Sequence, residues 1–80
     1  MNSAILEHLL KFKPFARLQL VTVSKHEYEI KRPTELRVLG KMETAVWSVD
    51  GNTDFIDLKL IERIRVDDDF GFAELERMFE

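Results

Sequence analysis

From Leu18 to Val66 the apolar residues fall in short runs with a period of two, interrupted every few residues by turn chemistry, and that rhythm fits short strands. Tyr28 and Ile30 alternate with Glu27 and Glu29; Ala45, Trp47 and Val49 fall on one side of residues 44–49; Ile64 and Val66 alternate with Arg63 and Arg65. Residues 36–39 and 55–58 are further strand candidates, and Asp50-Gly51 marks a hairpin between two of them. Arg17-Leu18-Gln19-Leu20 starts in phase, but Val21-Thr22-Val23 continues with the phase reversed. Either a bulge sits near Leu20, or both faces of this strand are covered, one by a barrel interior and one by an N-terminal helix. Ser24-Lys25-His26 reads as a turn and residues 31–35 as a loop.

Ahead of the strands, Ile5, Leu6, Leu9 and Leu10 share one helical face, with Asn2 or Ser3 as the cap. Lys11 and Lys13 lie where the helix dipole favours cations, and Pro14 ends the helix. At the other end, Phe72, Leu75 and Phe79 are spaced i, i+3, i+7 on a segment too short to hold a helix unaided. Such a segment needs a surface, either the chain's own body or another chain. Residues 1–66 are therefore expected to form one unit, and residues 67–80 an acidic tail with a short amphipathic helix.

Eighty residues without cysteine must build a dense core, or share one between subunits, because neither disulfides nor cysteine-ligated zinc can help. A helix and about five short strands in roughly sixty residues are expected to be too few for a two-layer sandwich. A small, strongly bent barrel is the economical solution, because it closes the edges that five short strands would expose. The expected class is mainly β: a five-stranded SH3-like or Sm-like barrel with short helices at both ends. The element order is similar to that of the Sm-like fold and, without the helix, to SH3-like barrels. The absence of cysteine fits a reducing compartment, and with no signal segment or long apolar run the expected location is the cytoplasm, with no membrane association.

Residues 4–66 carry a more detailed pattern: Phe12-Lys13-Pro14-Phe15, Leu18-Gln19-Leu20, Tyr28-Glu29-Ile30, a Pro33 loop with Glu35, then Phe55-Ile56-Asp57-Leu58 with Ile61 and Ile64. This succession resembles a group of short bacterial proteins of unknown function with Pro-Phe, Leu-x-Leu, Pro-loop and Ile-Asp-x-x-x-Ile-x-x-Ile elements. In this chain Ala16-Arg17 follows Phe15 where the group often has a second Pro-Phe, and Arg32 precedes Pro33 where the group usually has a histidine. The resemblance implies a fold and supplies no catalytic residues.

Nothing in the chain spells out a reaction. Asp50-x-Asn52-x-Asp54 imitates the opening of a calcium loop, but Phe55 stands at the sixth position and Ile61 at the twelfth, where glycine and glutamate are required. His8 and His26 lie in separate elements, and with no thiolate or second histidine at ligand spacing no metal is expected. Ser3, Ser24 and Ser48 lack a nucleophile elbow, and Gly40, Gly51 and Gly71 are isolated, so no phosphate loop is formed. Asp54 and Asp57, three apart on a strand, face opposite ways and cannot act as an acid/base pair. No cofactor and no enzymatic activity are expected.

Charge is unevenly placed. Residues 1–66 hold eleven Lys and Arg against nine Asp and Glu, and residues 67–80 hold six acids against one Arg, a body of +2 and a tail of −5. The tail either folds back over a basic surface or is a solubilising terminus. Arg63 and Arg65 on the last strand, with Lys31 and Arg32 in a loop, form a candidate basic patch for RNA or DNA. The same alternation also describes a solvated, edge-protecting face. Trp47 would be a stacking platform if exposed, but its alignment with Ala45 and Val49 places it in the core. The expectation is a non-enzymatic protein-interaction module acting as a small homo-oligomer, with Sm-like nucleic-acid binding as the alternative. Its candidate contact residues are Phe72, Leu75, Phe79, Arg63, Arg65, Lys31 and Arg32.

Overall fold

A computed structural model describes residues 2–67. The helix α1 spans Ser3–Lys11, and its first turn is closed by Asn2, whose Oδ1 accepts from the Ala4 amide at 2.8 Å. Six strands follow: β1 (Leu18–Thr22), β2 (Glu27–Ile30), β3 (Leu36–Leu39), β4 (Thr44–Val49), β5 (Asn52–Asp57) and β6 (Ile61–Val66). The expected C-terminal helix with Phe72, Leu75 and Phe79 lies outside the described residues.

The strands form two antiparallel three-stranded sheets, ordered β2-β1-β6 and β3-β4-β5. They do not close into the barrel that the sequence suggests, and there are six strands rather than five. The reason lies in the two crossings between sheets. Single 3-10 turns at Pro33–Glu35 and Leu58–Leu60 turn the chain from one sheet to the other, so neither β2 and β3 nor β5 and β6 share a ladder. Strands of four to six residues are short enough for two layers to fit in this length of chain.

One core serves both sheets. Leu18, Leu20, Ile30 and Ile61 from the first sheet meet Leu36, Ala45 and Ile56 from the second, with Leu58 from the crossing and Leu6 and Leu9 from α1. Trp47, expected in the core, packs against it half-buried, as do Tyr28, Ile64 and Val66. The helix runs beside β3, where a Cβ at Gly40 would come within 3.2 Å of Ser3 Oγ. Ile5 stays at the surface although it shares the apolar side of α1.

The phase reversal after Leu20 coincides with an irregularity in the partner strand. On β6 the register with β1 jumps from Val21↔Arg63 to Thr22↔Ile61, leaving Glu62 as the extra residue of a bulge. Leu20, Val21 and Thr22 are all buried, so β1 is covered on both faces at this point. Beyond the bulge, the Val23 amide donates to the Leu60 carbonyl at 2.8 Å and continues the β1–β6 pairing. Asp50 (φ 51°) and Gly51 (φ 82°) make the two-residue hairpin turn that their sequence announces.

Candidate interaction surface

The outer face of the β3-β4-β5 sheet is built by alternation. Ala45, Trp47 and Ile56 point to the core, so Val46 and Phe55 must point away from it. Arg37 pairs with Val46 and Val46 with Phe55, which sets these three side chains in one row across the sheet. Leu39, Ser48, Thr34 and Glu35 complete the walls of a shallow groove around that row. Phe55 is 73 % exposed, the most exposed large apolar residue among the described ones. An aromatic ring left in water at that level forgoes a substantial part of the free energy its burial would give.

The opposite sheet presents a polar outer face. Gln19 lies between Glu29 and Arg65, and Val21 between Glu27 and Arg63, so an acidic edge on β2 faces a basic edge on β6 across one strand. Arg63 and Arg65 are exposed as the alternation requires. Lys31 and Arg32 are exposed too, but they lie on the other side of β1, past the end of β2. The candidate basic residues are therefore divided between two edges about 10 Å apart, with Glu27 and Glu29 along the β2 edge. Glu35 further offsets the Lys31-Arg32 turn, because its Oε1 accepts from both backbone amides, at 2.7 and 3.2 Å. Where β6 ends, the Arg17 guanidinium meets Asp67 at 3.1 Å and the Asp67 amide donates to the Arg17 carbonyl at 3.0 Å.

Polar and aromatic contacts also join the two sheets around Tyr28. Tyr28 Oη donates to Asp54 Oδ2 at 2.8 Å, and the Trp47 indole N–H donates to the Glu29 carbonyl at 3.1 Å. The Tyr28 ring meets Trp47 edge-on at 5.3 Å and His26 at 4.5 Å. Burial, then the hydrogen bond to Asp54, then that carboxylate's negative charge hold the Tyr28 hydroxyl above its ordinary pKa. The phenol is thus kept as a donor rather than poised as a base or nucleophile. Asp57 faces the other way, its Oδ1 accepting from the Lys59 amide at 2.9 Å to cap the second 3-10 turn.

Two further ion pairs are peripheral. Lys25 meets Glu62 at 2.8 Å and lowers the Glu62 pKa, mainly through that hydrogen bond. Lys59 meets Glu43 at 3.1 Å, and the hydrogen bond to Glu43 raises the Lys59 pKa. Both are exposed and add little stability. Among the described residues, no buried side-chain nitrogen or oxygen lacks a hydrogen-bond partner, and no three His, Asp or Glu side chains gather as metal ligands would. No helix among them is long and apolar enough to cross a membrane.

Sequence reasoning missed Phe55 and the Tyr28–Asp54 contact. The signal for both was present. Once Ile56 is assigned inward, a period of two sends Phe55 outward and brings Asp54 inward, where a carboxylate needs a donor. No protein-family model, curated protein or solved structure matches this chain.

Proposed function

We propose that this chain is a non-enzymatic protein-interaction module that works as a small homo-oligomer. The observation that carries the reading is the exposed Phe55, aligned with Val46 on the open face of the β3-β4-β5 sheet. An aromatic anchor on a rigid strand, surrounded by small polar and aliphatic groups, is the composition of a contact surface. The neutral, hydrogen-bonded Tyr28 and the divergent Asp54 and Asp57 support a role without chemistry. The resemblance to short bacterial proteins with a helix and small β-domain fits a module of this kind, working in the cytoplasm without a cofactor.

Sedimentation of the full chain over a concentration series tests the reading. The expected result is a mass above that of one chain, falling towards it on dilution. A single-chain mass from micromolar to millimolar concentration overturns the homo-oligomer.

A further inference from the structure

The described strands leave four edges, and they are not equally protected. β2 and β3 are four residues long; β6 carries Glu62, Arg63 and Arg65 and a bulge with β1; β5 is six residues long, unbulged, and contains neither lysine nor proline. Natural sheets guard their edges with short strands, bulges, proline and charged side chains. The two charges of β5 are both engaged within the chain, Asp54 by the Tyr28 hydroxyl and Asp57 by the Lys59 amide. It pairs only with β4 among the described strands, and Phe55 stands at its centre.

The hairpin fixes which backbone groups of β5 are available. In a two-residue hairpin the closing residues, Val49 and Asn52, exchange hydrogen bonds, and the pattern then alternates along the ladder. Trp47 with Asp54 and Ala45 with Ile56 are thus the next bonded pairs, and the amides and carbonyls of Thr53, Phe55 and Asp57 are directed to the open edge.

We propose that two copies of this chain pair antiparallel through β5, with Phe55 on the twofold axis, joining their β3-β4-β5 sheets into one six-stranded sheet. The proposal deepens the interaction reading above by naming the partner and the site. The register follows from side-chain chemistry. A twofold axis normal to the sheet allows only pairings that keep inward residues opposite inward ones. Centring on Asp54 would oppose two carboxylates, and centring on Ile56 would set each Phe55 against Asp57 of the other copy. Centring on Phe55 instead places Thr53 opposite Asp57 and Phe55 opposite Phe55 on the outer face, and on the inner face sets Asp54, already held by the Tyr28 hydroxyl, opposite Ile56. On the outer face this makes one row, Arg37, Val46, Phe55, then the same residues in reverse, apolar in the middle and cationic at both ends. Such an interface is self-complementary and closed.

The native chain has no cysteine, so Phe55→Cys supplies a register-specific probe. Directly opposed bonded residues lie about 5.5 Å apart at Cα, within disulfide range. Mild oxidation of full-length Phe55→Cys is expected to give a covalent dimer, whereas Thr53→Cys and Ser48→Cys, which do not meet themselves, should stay largely single. In sedimentation, Phe55→Lys is expected to weaken association at least tenfold. Met42→Lys, at a turn residue 70 % exposed, should leave it unchanged. Association of Phe55→Lys equal to that of the parent, together with no preference for the cysteine at 55, overturns the β5 site while the oligomer reading stands. A full chain that is monomeric at every concentration overturns both. If removal of residues 68–80 switches association on, those residues rather than a second copy occupy the edge, and the proposal fails.

Discussion

Tyr28 and Asp54 lie 26 positions apart and meet at 2.8 Å, joining an edge strand of one sheet to an edge strand of the other. With no shared ladder between β5 and β6, this hydrogen bond and the Trp47-to-Glu29 bond tie the two layers together beside the Tyr28 ring. Tyr28→Phe keeps the ring contacts and removes the bond, leaving a half-buried carboxylate without its donor. The expected loss is about 1 kcal/mol, read as a lower midpoint in urea.

The same contact gives a pH signature. Because the folded-state pKa of Tyr28 is raised above the ordinary value of 10.0, its contribution is fully present below that value and is lost as pH rises through the folded one. Stability of the parent relative to Tyr28→Phe should therefore shrink above about pH 10. Tyr28 is the only tyrosine, so phenolate absorbance follows this group alone and should titrate later in the folded chain than in urea. Coincident titrations would mean that the bond is not formed in solution.

The core divides into residues that should be costly to truncate and residues that should not. Leu20 and Leu58 are at most 1 % exposed, and Leu→Ala at either is expected to cost about 2 to 5 kcal/mol, enough to unfold a domain this small. Ile64 is half-buried at the margin, and Ile64→Ala should cost distinctly less than Leu20→Ala in the same denaturant titration. Equal costs would show that the margin is as tightly packed as the centre.

Much of this was legible in the sequence, for reasons tied to particular residues. The period of two located the strands, Asp50-Gly51 located its hairpin, and Pro14 lay just past the helix. Closure was not legible, because whether β5 and β6 share a ladder depends on how sharply Leu58–Leu60 bends, and alternation within strands does not encode that angle. The bulge was legible only as a disturbance near Leu20. Its position on β6, at Glu62, is a property of pairing between distant segments. The candidate surface was hidden for a different reason: Phe55 reads as core by composition and as surface only by phase.

Arg63 and Arg65 offer a plainer test. Both are exposed on β6, opposite Val21 and Gln19. The double change Arg63→Gln, Arg65→Gln should move stability by no more than about 0.5 kcal/mol, as substitutions on a solvated face do. Their separation from Lys31 and Arg32 also means that retention on heparin should be weak and little altered by the change. A large loss of salt-sensitive retention would instead revive the nucleic-acid alternative.

Gly51 isolates backbone conformation from packing. At φ 82° it lies in the left-handed region, yet a Cβ built there would meet no atom within 4 Å. Gly51→Ala therefore adds no clash, and its expected cost of about 1 to 2 kcal/mol comes from the conformation alone. Its neighbour Asp50, at φ 51°, already pays a similar penalty, so Asp50→Gly should be neutral or mildly stabilising. Thermal melts of the two variants separate these effects. If Gly51→Ala melts with the parent, the hairpin has shifted to a turn without positive φ at that residue, and the bonding pattern that directs the Phe55 backbone to the open edge would no longer hold.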